Sequence, residues 1–93
     1  MPASAYSRNP SAEEAREGYL LILKSSLSLF PPVGEPWELA DGLDQRRVTI
    51  EAEHCVCRGP ELPHDHYRLR LPGLVRGSRV TIRPTDGGYR LER

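Results

Sequence analysis

Cys55 and Cys57, then His64 and His66, stand at alternate positions on either side of a short Pro-containing segment. Two thiolates and two imidazoles are the donor set of a zinc site, and side chains two apart on a β-strand project from one face. If residues 58–63 connect two antiparallel strands, Cys57 faces His64 and Cys55 faces His66. Against a metal stand the spacings, since the common structural sites use Cys-x2-Cys and His-x3-His. Same-face neighbours on a strand also lie about 7 Å apart at their Cα atoms, so all four ligands would have to lean together. A free cysteine pair beside two solvated histidines is the simpler reading.

The same segment offers the residue types for a cysteine nucleophile, Cys55 with His66 beside Asp65. A thiolate needs a nearby base or positive charge, and residue types alone supply no cleft or oxyanion hole. His54 falls on the apolar face instead and reads as a partly buried, hydrogen-bonded core histidine. No cofactor signature stands in the chain, so a non-enzymatic role is expected.

These groups depend on a hairpin over residues 46–71. Val48, Ile50, Ala52 and Val56 alternate with Thr49, Glu51, Glu53, Cys55 and Cys57, and Tyr67, Leu69 and Leu71 alternate with His64, His66, Arg68 and Arg70. That is the period of half-buried strands. The register that pairs cysteines with histidines also sets Glu53 opposite Arg68 and Glu51 opposite Arg70. Each such match contributes roughly 0.2–1 kcal/mol.

Around the hairpin, residues 1–10 read as a mobile tail and residues 11–93 as a single small domain. Ser11 and Glu14 form a capping box at the start of a helix. Apolar residues at Ala12, Ala15, Tyr19, Ile22 or Leu23, and Leu27 keep helical spacing as far as Pro31-Pro32, which must end the helix. The predicted fold is α+β, with one N-terminal helix packed on an antiparallel meander of three to five strands. Five consecutive apolar residues at 19–23 point around more than one helix face. Tyr19, Leu20, Leu21 and Leu23, together with the lone Trp37 in a turn-rich segment, are therefore candidate partner-binding residues. A loop folded back over the helix, and Trp37 as a lid on the core, are the plainer alternatives.

The formal net charge is zero, but residues 1–63 carry a balance of minus four and residues 64–93 a balance of plus four. Arg79, Arg83 and Arg90 lack an obvious acidic partner, and a hairpin turn at Asp86-Gly87 sets Arg83 opposite Arg90. These three are the candidate phosphate contacts of a nucleic-acid binder. Against that reading, Tyr67 and Tyr89 fall on inward faces and a pI near 6.8 is low for such a domain.

The chain's 93 residues exclude a deep enclosed site, and its longest apolar run, residues 19–23, is far short of a membrane span. Two cysteines two apart exclude a disulfide framework and point to a reducing cytosol. The excess of arginine over lysine, twelve to one, suggests GC-rich bacterial coding. By elimination, the expected function is a small interaction module that binds itself, as a homodimer, or another protein. Nucleic-acid binding through the C-terminal hairpin and zinc binding at the central one are the alternatives.

Overall fold

A computed structural model describes residues 5–55 and 64–93. Eight strands are ordered β1 (Tyr6–Arg8), β2 (Tyr19–Ile22), β3 (Trp37–Asp41), β4 (Asp44–Val48), β5 (Ile50–Cys55), β6 (His64–Arg70), β7 (Val80–Thr85) and β8 (Gly88–Glu92). One α-helix, α1 (Ala12–Glu17), lies between β1 and β2, and a 3-10 helix spans Lys24–Leu29. A five-stranded sheet runs β1-β7-β8-β3-β4 and a three-stranded sheet runs β2-β6-β5.

This overturns the α+β expectation, because the chain is mainly strand in two sheets and its α-helix has six residues. The capping box does form: Ser11 Oγ accepts from Glu14 N–H and Glu14 reaches back to Ser11 N–H. The helix then stops at Gly18, which takes the left-handed conformation at φ 78°, ψ 41°. Only glycine adopts that readily, so it is a common helix terminator. Beyond it, Tyr-Leu-Leu-Ile forms a strand in which Leu20 and Ile22 are buried while Tyr19 and Leu21 are half-buried on the opposite face. A five-residue apolar run needs two covers on a helix but fits a strand with both faces partly packed.

The meander is overturned as well. β3 and β8 are parallel neighbours, so the C-terminal hairpin inserts between β1 and β3. At the N-terminus, where a mobile tail was expected over residues 1–10, Tyr6–Arg8 pairs with β7 and Tyr6 is only 4% exposed.

Both sheets turn their apolar faces into one cluster. Leu20, Ile22, Ile50 and Leu69 come from the three-stranded sheet, and Leu39, Val80, Ile82 and Leu91 from the five-stranded sheet. Burying each such side chain stabilises by about 1.5–3 kcal/mol. Phe30 sits at one end of the cluster, 5.8 Å from Tyr6, 5.6 Å from Trp37 and 5.7 Å from Tyr89. Among the described residues no helix is long and apolar enough to cross a membrane.

Candidate interaction surface

The central hairpin is built on a strand that the two sheets share. β4 ends at Val48, β5 begins at Ile50, and Thr49 is the corner. Asp41 and Asp44 close a two-residue loop whose first residue, Gly42, has φ 65°. This is the II′ arrangement, and its closing pair is hydrogen-bonded. By alternation, Asp44, Arg46 and Val48 direct their backbone groups at β3 while Gln45 and Arg47 direct theirs away. Ile50 C=O accepts from Gly34 N–H at 2.9 Å, which continues the β3 side as far as β5. Glu51 and Glu53 therefore face β6, and Ala52 faces outward.

The strand is thus paired on one side over its first half and on the other side over its second. Among the described residues, the outward backbone groups of Gln45, Arg47 and Ala52 have no hydrogen-bond partner. The far edge of β2 is closed by contrast. Leu21 N–H donates to Glu14 Oε2 at 2.8 Å, Leu21 C=O accepts from the Tyr6 hydroxyl at 2.6 Å, and Leu23 N–H donates to that hydroxyl at 3.2 Å. Side chains from β1 and α1 thus fill the seat of a further strand.

Glu14 is the centre of this seal. Only 2% exposed, it accepts from Arg8 Nε and Nη2 and from the amides of Ser11 and Leu21. Burial alone would raise its pKa, but these donors outweigh burial and lower it. The same ion pair raises the pKa of Arg8.

The outer face of the three-stranded sheet is charged. Arg68 lies 2.8 Å from Glu53, and its guanidinium sits 4.4 Å from the centre of the Tyr19 ring. Arg70 reaches Glu51 at 3.8 Å, and the Tyr19 hydroxyl donates to Glu13. That bond to Glu13 is the main reason why the Tyr19 pKa is pushed up to about 12. Two clefts flank Arg68, one of 280 Å³ on the Glu51 and Arg70 side, the other of 390 Å³ toward Arg8 and His66. Arg68 Nε is buried with no hydrogen-bond partner among the described residues. A third cleft, of 320 Å³, lies beside β4, beyond the point where β6 leaves β5, and is lined by Arg46, Arg47, Val48, Thr49, Glu51, Arg70 and Pro72.

The structure separates the residues singled out in the sequence. Leu20 is fully buried and Trp37 is 7% exposed, with Tyr89 4.7 Å away, so neither is a surface anchor. Tyr19 and Leu21 remain half-buried on the outer face, and Leu23 is exposed. The hairpin register is two residues from the expected one: Cys55 faces His64, and His66 faces Glu53. Val56, Cys57 and the 58–63 connection lie outside the described residues, as do the side chains of His54, Cys55 and His64. Among the described residues no three potential ligands gather in a metal-binding group.

Arg83 does face Arg90, as the turn implies, but it is not without an acidic partner. Glu92, diagonally placed on β8, lies 3.3 Å from it. Arg79 and Arg90 are exposed, and Tyr89 turns inward to donate to Leu29 C=O at 2.8 Å. Sequence reasoning missed the half-paired strand. Its signal was Asp-Gly-Leu-Asp before the arginines, a two-residue hairpin loop that makes residues 44–48 a strand of another pair.

No family model, curated protein or solved structure matches the chain.

Proposed function

We propose that the protein is a small interaction module that binds a protein partner by strand addition along the shared strand β4–β5. The observation that carries this reading is the contrast between edges. The free side of β2 is filled by two buried polar side chains, whereas Gln45, Arg47 and Ala52 present unpaired backbone groups. Unpaired edge groups are a ready template for an incoming strand, and main-chain hydrogen bonds supply affinity in such complexes. The paired charges beside this edge, Arg68 with Glu53 and Arg70 with Glu51, suit adjustable polar contact at the rim of an interface.

The test is binding to a panel of extended peptides by fluorescence anisotropy, with two edge-blocking variants. Gln45→Pro and Ala52→Pro each remove one outward N–H without touching a ladder hydrogen bond, a position where proline is tolerated. Loss of binding in one variant, with the thermal midpoint retained, is the expected result. Binding that survives both substitutions together would overturn strand addition.

A further inference from the structure

We infer that the β4 half of the shared strand takes an extended acidic segment, antiparallel to β4 and in line with β6. This deepens the interaction-module reading and rests on it. Three independent features meet at this place.

The first is a vacated seat. β6 pairs with β5 as far as Ile50–Leu69 and then leaves the sheet at Pro72-Gly73, where Gly73 takes φ 80°. Arg93 holds that turn away: its Nη1 donates to Gly73 C=O at 3.0 Å and its Nη2 to Asp41 Oδ2 at 2.9 Å. Asp41 also accepts from Arg46 Nε at 2.9 Å, so the turn is tied to β3 and β4 by charged contacts. The result is the 320 Å³ cleft beside β4.

The second feature is the donor pattern. Gln45 and Arg47 each direct an N–H and a C=O to the side of β4 away from β3, the side on which β6 pairs with β5. A strand lying along β6's projected line meets both, with the spacing of an antiparallel ladder.

The third is charge. The cleft is lined by Arg46, Arg47 and Arg70 against a single carboxylate, Glu51. Glu51 is already engaged by Arg70, and Arg46 by Asp41. Arg47 has no ion-pair partner among the described residues and is exposed. On its β3 side the ladder sets Arg47 opposite Glu38, though no ion pair forms between them. An Asp or Glu opposite Arg47 on the open side adds a second cross-strand match, and a Lys or Arg there meets like charge. A second copy is a poorer occupant. Full antiparallel overlap of two β4 strands sets Arg46 against its own counterpart.

The experiment uses the full chain and three labelled peptides of about eight residues, the length of an ordinary strand. They are threonine alternating with glutamate, with glutamine or with lysine, titrated by fluorescence anisotropy. The glutamate peptide should bind best, lose its binding in Gln45→Pro and weaken roughly tenfold in Arg47→Glu. Arg47→Gln, which removes charge without adding any, should fall between. Equal binding of the glutamate and glutamine peptides, both lost in Gln45→Pro, would overturn the acidic class and leave strand addition standing. Glutamate-peptide binding indifferent to Gln45→Pro would be charge attraction alone and would remove strand addition at β4. Binding lost only in Ala52→Pro would move the partner to β5. A single-stranded oligonucleotide that displaces the peptide at equal concentration, or a dimer that Gln45→Pro dissociates, would replace the acidic segment by nucleic acid or by a second copy.

Discussion

Arg68 and Glu53 form a 2.8 Å ion pair although neither is the other's cross-strand partner: the ladder sets Arg68 opposite Glu51 and Glu53 opposite His66. The contact is diagonal, as is that between Arg70 and Glu51. Side chains as long as arginine reach a diagonal neighbour as easily as a direct one. Arg68 also covers the Tyr19 ring, so its removal takes away packing as well as charge. Arg68→Ala should cost about 1 kcal/mol. A double-mutant cycle with Glu53→Ala should return a coupling near 0.5 kcal/mol in urea denaturation. A coupling indistinguishable from zero would mean that the diagonal pair contributes nothing in solution.

The diagonal explains what the sequence could and could not convey. Alternation placed Glu51, Glu53, Arg68 and Arg70 on one face, and they do share it. Charge matching then favoured a register two residues away, because a shift of two preserves every face and both ion pairs. The observed register sets Cys55 opposite His64, and residue types alone do not distinguish it from the one two residues away. The helix error has another origin. Apolar spacing from Ala12 to Leu27 fits a helix, but Gly18 interrupts it with a left-handed turn, and the run that follows satisfies strand burial. Propensity at one position outweighed periodicity across sixteen. The hairpin loop at Asp41–Asp44 marks residues 44–48 as a strand of another pair, but that its second side stays open was not legible, since which side of a strand is occupied depends on partners distant in the chain.

Glu14 makes the protein acid-sensitive. Its folded pKa lies below the ordinary carboxylate value, so its contribution is present above that value and is lost as pH falls through the folded pKa. Glu14→Ala should cost about 2–4 kcal/mol, because it leaves Arg8 and the Leu21 amide without their acceptor. Urea midpoints measured from neutral pH downward should fall in the wild type. In Glu14→Gln they should start lower and fall less steeply. Parallel acid limbs would show that other carboxylates set the dependence.

Tyr19 carries the opposite shift. The Glu13 carboxylate accepts its hydroxyl proton, burial adds to the effect, and the pKa rises to about 12. Arg68 works against this but is outweighed. In an alkaline titration followed by phenolate absorbance, one tyrosine should therefore ionise well above the ordinary range, and Glu13→Gln should bring it down. Tyr6 and Tyr89 are raised by burial and should not respond to that substitution. An unchanged titration would show that the Tyr19–Glu13 bond does not persist in solution.

Trp37 tests whether the aromatic cluster is core or contact surface. Its ring stacks on Phe30 at 5.6 Å and lies 4.7 Å from Tyr89, and it is 7% exposed. A buried indole emits at short wavelength, so native fluorescence should shift to the red only on unfolding. Truncating a core tryptophan costs about 3–5 kcal/mol, and Trp37→Ala should fall in that range. Trp37→Phe should be far milder than the loss of area implies. The indole Nε1 is buried without a hydrogen-bond partner among the described residues, so phenylalanine removes a desolvated donor while it keeps most of the stack. If Trp37→Phe costs as much as Trp37→Ala, the indole has a partner in solution and its N–H is part of the design of this end of the core.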